Sequence, residues 1–222
     1  MKASQEQAHA YVPALGFDWL TPLYDPLIRL ALREETVKQR LVDQAQITGG
    51  MRVLDLGCGT GTLAVLIKRA QPGAEVVGLD VDARILAIAR RKIAAAGVAI
   101  ELRHGTAEEA DLAAGSFDRV LTSLVLHHLT TAEKRAALGA LRRALRPGGE
   151  LHVADWGPPQ NPLMWLASLP VRLFDGGERV AANLEGRLPD LVREAGFVDV
   201  AERAHVMTPF GTLAFWSARA GA

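Results

Sequence analysis

The regular pattern of the chain starts with two short apolar runs that flank a helical one. Residues 53–56 are apolar apart from one acid, and three glycines occupy alternate positions in the next five residues. Behind this loop, apolar residues recur every three or four positions over 63–70, as on one face of a helix. A second apolar run, 76–79, ends at Asp80. The pattern predicts a strand, a glycine-rich turn, a helix and a second strand that ends in an acid.

Alternation of strand and helix patterns continues to the end of the chain. Further strands are predicted at 99–103, 117–124, 150–155, 198–206 and 213–218, and further helices between Asp82 and Gly97, between Thr130 and Pro147 and over 188–195. The turn around 209–211 joins the last two strands as a hairpin. Alternating elements of this kind predict an α/β fold with a mostly parallel sheet and helices on both faces.

The glycine loop predicts a nucleoside site. Ligands of open parallel sheets bind beyond the C-terminal ends of the strands, and a carboxylate at such an end can accept hydrogen bonds from both ribose hydroxyls. The glycine spacing is G-x-G-x-G, which differs from the G-x-G-x-x-G of dinucleotide sites, and no Lys-Ser or Lys-Thr of a P-loop follows. No lysine or arginine lies between Asp55 and Ile67 to balance phosphate charge. The loop therefore favours a nucleoside without phosphates, bearing an amino-acid end.

The segments VLDLGCGTG and VVGLD resemble the first two motifs of class I S-adenosylmethionine (SAM) methyltransferases. The resemblance implies a Rossmann-like seven-stranded methyltransferase sheet, mostly parallel with an antiparallel last strand, and SAM as the cofactor. It also implies a set of cofactor-binding residues along the strand ends. These are Asp55, Gly57, Gly59, Thr60, Gly61, Asp80, Val81, Thr106, Ala107, Glu108 and Ser123.

Each of these positions has an expected role. Asp55 is expected near the positively charged end of SAM, Thr60 at the methionine end and Asp80 on the ribose, with Val81 beside the adenine. Thr106-Ala107-Glu108 resembles the third family motif, but a threonine stands where aspartate or asparagine is common. A side-chain bond to the adenine amino group is therefore not implied here, whereas a backbone contact from Ala107 is. Ser123 corresponds to the position that lines the methionine side.

Charge and composition limit the classes of partner. Lysine plus arginine and aspartate plus glutamate both number 25, so the formal net charge is zero. Nucleic-acid-binding domains usually carry a basic excess or a basic stripe. The basic residues Arg84, Arg90, Arg91 and Lys92 are interpreted as the solvated face of one helix. The composition argues against nucleic acid as a substrate.

The remaining composition bears on metals, redox state and location. A single cysteine, Cys58, excludes an internal disulfide and a cysteine metal cluster, and no other metal site is predicted from ligand spacing. The N-terminus lacks the apolar core of a signal peptide, and no window approaches the ~20 apolar residues of a membrane span. A cytoplasmic protein is expected.

The length of 222 residues is typical of one compact domain. Residues 1–48 are expected to form an N-terminal helical lid over the substrate, and residues 49–222 the SAM-binding core. The core contains an apolar insert, 157–187. The segments LTPLYDP, LHHL and LRPGGELHVADW resemble methyltransferases of ubiquinone and menaquinone biosynthesis. That resemblance implies that Tyr24 lies in the lid over the acceptor.

Methyl transfer from SAM requires alignment above all, and a base only where the acceptor must lose a proton. His127 follows the fourth strand and is a candidate base, although a structural role in the loop is an equal alternative. His128 is interpreted as structural. Asp155, at the end of the fifth strand, is expected either to contact the acceptor or to cap the next loop.

The predicted function is SAM-dependent methylation of a small apolar or aromatic, quinone- or lipid-like molecule at carbon or oxygen. Two alternatives remain: an NAD(P)-dependent oxidoreductase, and a SAM-binding regulator without turnover. The insert is either a helix pair packed on the sheet, a substrate wall, or a patch for peripheral contact with a membrane or with a second subunit of a homodimer. A monomer is equally compatible with the sequence.

Overall fold

The computed structural model describes residues 34–174 and 176–221. Its strands are β1 (Arg52–Leu56), β2 (Glu75–Asp80), β3 (Glu101–His104), β4 (Phe117–Ser123), β5 (Leu145–Trp156), β6 (Phe197–Thr208) and β7 (Gly211–Ala220). Its helices are α1 (Glu34–Ala45), α2 (Thr62–Ala70), α3 (Ala83–Ala96), α4 (Thr131–Ala144), α5 (Pro162–Ala167), α6 (Leu169–Phe174), α7 (Gly177–Leu184) and α8 (Leu188–Glu194). A short 3-10 turn spans Leu126–His128.

The strands form one seven-stranded sheet in the order β3-β2-β1-β4-β5-β7-β6. The first five strands pair in parallel, whereas β7 is antiparallel to both β5 and β6. The predicted seven-stranded, Rossmann-like methyltransferase sheet is thereby confirmed. The strand order reverses at β1 and β4, and the C-terminal ends of the parallel strands meet at one edge there, which is the general position of ligand sites in such sheets.

Helices cover both faces of the sheet because its central strands are apolar on both sides. On one face, α4 and α8 pack on β1, β2, β4 and β5 through Leu138, Leu141, Leu191 and Val192. On the other, α1 and α2 pack through Leu41, Val42, Leu63 and Ile67. The helix α1 lies within the expected 1–48 segment, yet it contributes side chains to the core.

Local signals placed the helix starts correctly. The Asp82 side chain accepts hydrogen bonds from the amides of Arg84 and Ile85 at the start of α3. Thr130 and Glu133 form the predicted capping box of α4. The end of α4 was predicted too late: the helix stops at Ala144, and β5 already begins at Leu145. Leu145 is buried in the core, and its backbone pairs with that of Phe117 in β4.

The insert between β5 and α8 consists of the short helices α5, α6 and α7. Several of its apolar side chains are exposed, including Leu163 (67%), Trp165 (52%), Leu166 (57%) and Leu173 (75%). The α7 helix packs on the 3-10 turn and on β5. The insert thus starts from the sheet edge at which the parallel strands end. No helix among the described residues has the length and apolarity needed to cross a bilayer.

Candidate active site

The glycine loop is anchored to the end of β2. The amides of Gly57 and Cys58 both donate to the Leu79 carbonyl, at 2.8 and 3.0 Å. Gly57 has φ +66°, and a Cβ there would lie 2.3 Å from a methyl group of Val125, so this glycine is required by packing. Gly59 has φ +53°, but a Cβ there would meet no atom within 4 Å. The open side of Gly59 is a cradle where a ligand can approach the backbone.

Asp80 and the glycine loop form one unit. One carboxylate oxygen accepts a hydrogen bond from the Gly59 amide at 2.8 Å, and the other accepts one from the Asp82 amide at 2.9 Å. Each carboxylate oxygen has a further lone pair, and the residue is only half-buried. Asp80 can therefore accept additional hydrogen bonds from a ribose at the strand end.

Asp55 is buried at the end of β1 with 1% of its surface exposed. Its Oδ2 has no hydrogen-bond partner among the described residues. Burial raises the pKa of Asp55 to about 7, against the opposing positive charge of Lys38 and a hydrogen bond from the Ala64 amide. A buried carboxylate oxygen without a partner is costly in isolation, which indicates that a cationic or hydrogen-bonding group belongs beside it.

Lys38 is a member of this site that the sequence reasoning missed. It lies on α1, is 9% exposed, and its ammonium pairs with Glu34 at 2.5 Å. The available signal was a lysine on an otherwise apolar helix face, between Val37 and Leu41. The positive charge of Lys38 lowers the pKa of Asp55, in opposition to burial. The helix α1 therefore contributes to the electrostatics beside the glycine loop.

The interpretation of Lys92 as a solvated residue is wrong. Its ammonium donates to the hydroxyls of Thr60 at 2.9 Å and Thr62 at 2.7 Å. A long lysine stem on α3 reaches the neighbouring loop because the two helices pack closely at Gly61 and Ala89. The Thr60 hydroxyl is thus already hydrogen-bonded within the protein. Thr60 would therefore contact a ligand chiefly through its backbone.

The remaining predicted cofactor residues lie along the same edge. The Gly105 amide donates to the Asp80 carbonyl at 3.0 Å, which brings the third motif beside the end of β2. Ala107 is buried there, whereas Val81 is 56% exposed and Glu108 is exposed. The amide and hydroxyl of Thr106 both bond to Glu109, at 3.3 Å each. Thr106 is therefore hydrogen-bonded within the turn formed by residues 106–109.

Ser123 ends β4, next to β1 in the sheet. Its hydroxyl is buried and has no partner among the described residues. Beyond it, Leu124 has a φ of +59°, an uncommon conformation for a branched residue, and its amide donates to the Ala154 carbonyl at 2.8 Å. This bend directs the chain into the 3-10 turn that carries the two histidines.

His127 and Asp155 form a buried pair at the ends of β4 and β5. The Nδ1 atom of His127 lies 2.7 Å from Oδ1 of Asp155, and the two side chains are 5% and 1% exposed. Because a carboxylate only accepts, Nδ1–H of His127 donates to Asp155. The His128 ring lies beside the His127 ring at a centroid distance of 3.9 Å and is tilted by 46°, and Trp156 is arranged edge-on to His127 at 6.2 Å.

Asp155 also fixes the turn that carries His127. Its Oδ2 accepts from the Leu126 and His127 amides at 2.8 and 3.3 Å, and Oδ1 accepts from the Trp156 amide at 2.7 Å. Burial alone would raise the pKa of Asp155, but the charge and hydrogen bond of His127 and the amide donors hold it below its ordinary value. Asp155 is therefore an ionised anchor that orients His127. The sequence predicted that Asp155 contacts the acceptor or caps the loop after it; the hydrogen bonds instead hold the turn that follows β4.

The arrangement fits SAM on observations of the chain itself. The unpartnered Asp55 oxygen suits the cationic end, and the open side of Gly59 admits close approach. The Ser123 hydroxyl, at the end of β4, is also buried without a partner among the described residues. Asp80 has free acceptor capacity for a ribose diol. Tyr24 lies outside the described residues. Within the described ranges no three His, Cys, Asp or Glu side chains are grouped to hold a metal ion.

Comparison with known proteins finds methyltransferases. A family described as "Methyltransferase domain" matches residues 53–149. A demethylmenaquinone methyltransferase of Thermus thermophilus is 40% identical over 145 residues, which are 64% of this chain and 65% of that protein. An uncharacterized methyltransferase of Synechocystis is 33% identical over 193 residues, or 85% of this chain and 87% of the other. This chain thus spans about two thirds of the length of the Thermus relative.

A solved structure supports the fold. The apo form of the SAM-dependent methyltransferase SibL superposes with a TM-score of 0.72, covering 93% of this chain and 60% of the other. At 24% identity the likeness concerns the fold alone.

Proposed function

This chain belongs to the class I SAM-dependent methyltransferases, in the branch that includes the ubiquinone and menaquinone methyltransferases, and on that premise we propose that it methylates a small aromatic acceptor. The acceptor is a quinol or phenol with an apolar body, methylated at a ring carbon or at a hydroxyl oxygen. The observation that carries this proposal is the buried His127–Asp155 pair at the ends of β4 and β5, beside the cofactor edge. The name of the Thermus relative supports a quinol as the acceptor.

SAM is held by the residues of the glycine loop and the adjoining strand ends. Asp80 accepts from the ribose hydroxyls, Asp55 favours the cationic end through its charge, and Gly59 leaves room for the ligand against the backbone. Val81 and Ala107 lie beside the adenine, and Ser123 on the methionine side. When bound, SAM supplies a methyl group on a sulfonium, whose carbon–sulfur bond breaks as the acceptor atom bonds to the methyl carbon.

His127 moves the proton in this proposal. An acceptor hydroxyl gives its proton to the His127 ring in its neutral form, and the resulting oxyanion is the nucleophile at oxygen, or activates the neighbouring ring carbon. The carboxylate of Asp155, 2.7 Å from Nδ1, stabilises the imidazolium that forms. For attack at carbon, the ring proton at the methylated position passes to water, and the phenolate that this restores takes back the proton held by His127.

The insert supplies the acceptor side of the site. The exposed apolar side chains of α5 and α6, such as Trp165 and Leu166, extend from the sheet edge where the pair lies. They suit the apolar body of a lipid-like acceptor, and they offer the same chemistry to a membrane surface at which such an acceptor resides. Tyr24, on the expected N-terminal lid, is assigned to the acceptor as well; we expect Tyr24→Phe to lower turnover while cofactor affinity is retained.

The decisive experiment is a methyl-transfer assay with radiolabelled SAM and two probe acceptors. These are reduced demethylmenaquinone, which offers a ring carbon, and a prenylated catechol, which offers a hydroxyl. Transfer to one of them, seen as a mass increase of one methylene and lost in His127→Gln, supports the proposal and identifies the atom. Binding of S-adenosylhomocysteine (SAH) without transfer to either probe or to any component of a cell extract would instead support a non-catalytic regulator.

A further inference from the structure

Lys134 connects the insert to the turn that carries His127. It lies in the first turn of α4 and is fully buried. Its ammonium donates to the Leu129 carbonyl at 2.5 Å and to the Arg179 carbonyl at 2.6 Å. Leu129 directly follows the 3-10 turn, and Arg179 belongs to α7 of the insert. A single buried cation therefore holds two segments that are far apart in the chain.

Arg179 makes the reciprocal contact. Its guanidinium Nη1 donates to the His128 carbonyl at 2.6 Å and lies 3.9 Å from the Glu133 carboxylate. We use the name clamp for two side chains, Lys134 and Arg179, and the three carbonyls that they bond, those of His128, Leu129 and Arg179. Through the clamp, α7 is bonded to the residues on the C-terminal side of His127 in both directions.

The position of Lys134 is unfavourable for a cation in two respects. It is buried, and no carboxylate of the described residues forms an ion pair with it at 4.0 Å or less. It also lies in the first turn of a helix, where the helix dipole favours anions. A buried charge in such a place indicates that its hydrogen bonds secure a particular arrangement of the segments around it.

The segments that the clamp joins are those of the proposed chemistry. The 3-10 turn carries His127, and Asp155 holds that turn by accepting hydrogen bonds from the Leu126 and His127 amides. The α7 helix packs on the same turn and on β5, and it leads back from the apolar helices α5 and α6. Without the clamp, the turn would keep its bonds to Asp155 and its packing on α7 but lose its hydrogen bonds to the insert.

We propose that Lys134 is a positioning residue that sets the acceptor wall of the insert against His127, a role that rests on the methyl transfer proposed above. It touches neither the cofactor residues nor the His127 ring in the structure, and it acts through the carbonyls of Leu129 and Arg179. The cofactor edge at β1 and β2 lies outside the clamp. Loss of Lys134 therefore separates acceptor turnover from cofactor binding.

The test compares three substitutions. Lys134→Met keeps the apolar stem and removes both hydrogen bonds, whereas Lys134→Arg restores a cation with several donors. Lys68→Met is the matched control, since Lys68 also donates to a carbonyl, that of Ala74 at 2.5 Å, but does so at the start of β2. We expect Lys134→Met to lower kcat for reduced demethylmenaquinone about 10- to 100-fold, with the Kd of SAH within about twofold of wild type. Lys134→Arg should recover most of the loss, and Lys68→Met should leave kcat unchanged.

A second readout requires no acceptor. Amide hydrogen exchange should accelerate in Lys134→Met within both 126–130 and 177–184, and stay unchanged around the glycine loop. If the wild-type protein methylates no probe, the proposed function fails, while this exchange pattern still decides whether the clamp exists. Unchanged exchange in either segment, or a parallel loss of SAH affinity and kcat, would overturn the positioning role.

If Lys134→Met does not fold, Arg179→Gln serves in its place. The Arg179 side chain is 40% exposed, so its substitution spares the core and removes the bond to the His128 carbonyl together with the exposed 3.9 Å pair with Glu133. A several-fold lower kcat with unchanged SAH affinity is expected, together with faster exchange in 126–130. Wild-type kcat and wild-type exchange in Arg179→Gln would contradict the clamp.

Discussion

The carboxylate of Asp80 accepts a hydrogen bond from the amide of Gly59 at 2.8 Å, so the acid that ends β2 and the glycine loop that follows β1 are a single unit. The Leu79 carbonyl reinforces this unit by accepting from Gly57 and Cys58. The consequence is that the ribose site and the backbone cradle are positioned together before any ligand binds.

Substitution of Asp80 by alanine should weaken SAH binding by at least about 30-fold, because hydrogen bonds to a charged group contribute about 1.5–3 kcal/mol each. Calorimetric titration measures this change directly. Glu75→Gln is the control, since Glu75 is an exposed acid at the opposite end of the same strand. Equal SAH affinities for wild type and Asp80→Ala would show that Asp80 does not bind the cofactor. NAD, titrated in parallel, is expected not to bind.

Gly57 and Gly59 should respond differently to alanine. Gly59→Ala places a Cβ in open space, so stability should fall only by the cost of a left-handed backbone, about 1–2 kcal/mol, while SAH affinity should fall strongly. Gly57→Ala adds a collision with Val125 and should lower the melting temperature much further. The additional Val125→Ala substitution should restore part of that loss. Thermal unfolding and SAH titration of the same four proteins check these outcomes; strong SAH binding by Gly59→Ala would contradict the cradle.

The pKa of Asp55, raised to about 7 by burial, makes cofactor binding dependent on pH. Below pH 7 the carboxyl of the free protein is protonated, and a cationic ligand group favours its ionised form. The Kd of SAH should therefore rise as the pH falls, by about tenfold between pH 7.5 and 5.5. Titrations at several pH values measure this, and Asp55→Asn should bind more weakly at pH 7.5 with a flatter pH profile.

The same raised pKa has the opposite effect on the stability of the free protein. The folded state holds the Asp55 proton more tightly than the unfolded chain, whose carboxyl titrates near its ordinary value of 3.8. The contribution of Asp55 to stability is full below that value and is lost as the pH rises through about 7. Asp55→Asn should therefore gain in melting temperature relative to wild type as the pH rises from 5 to 8. A constant difference over this range would argue against the raised pKa.

Asp155→Asn should lower kcat by about 10²–10⁴-fold, the usual contribution of an oriented general base. It should also lower stability, because Asp155 accepts hydrogen bonds from three amides as well as from His127. The control is Asp118→Asn, a buried carboxylate at the other end of β4 that accepts from the Arg52 amide and pairs with Arg146. Asp118→Asn should be destabilised with kcat retained, when both are assayed well below their melting temperatures. Equal losses of kcat in the two variants would show that Asp155→Asn lowers kcat only by destabilising the protein.

Local sequence signals were sufficient for the fold and the cofactor loop. The other strand boundaries agreed within a few residues, but β5 begins five residues before the predicted start and includes Pro147 and two glycines. The capping box of Thr130 and Glu133 involves residues three positions apart. The glycine spacing is likewise a short-range signal, and Asp80 is recognised by its position at the end of the second apolar run, although it bonds to Gly59 21 positions away.

The sequence by itself therefore determined the Rossmann-like sheet, the glycine cradle and the acid for a ribose, because a short run of neighbouring residues is enough to recognise each of these elements. The tertiary structure decided the charges around them. His127 and Asp155 are 28 positions apart, Lys92 and Thr60 are 32 apart, and Lys134 and Arg179 are 45 apart. Nothing in the local pattern specifies which carbonyl or hydroxyl a buried lysine reaches, since that depends on how two helices pack across a sheet. The physical reason is that periodicity reports which face of an element is buried, whereas hydrogen bonds between elements depend on the three-dimensional positions of their side chains.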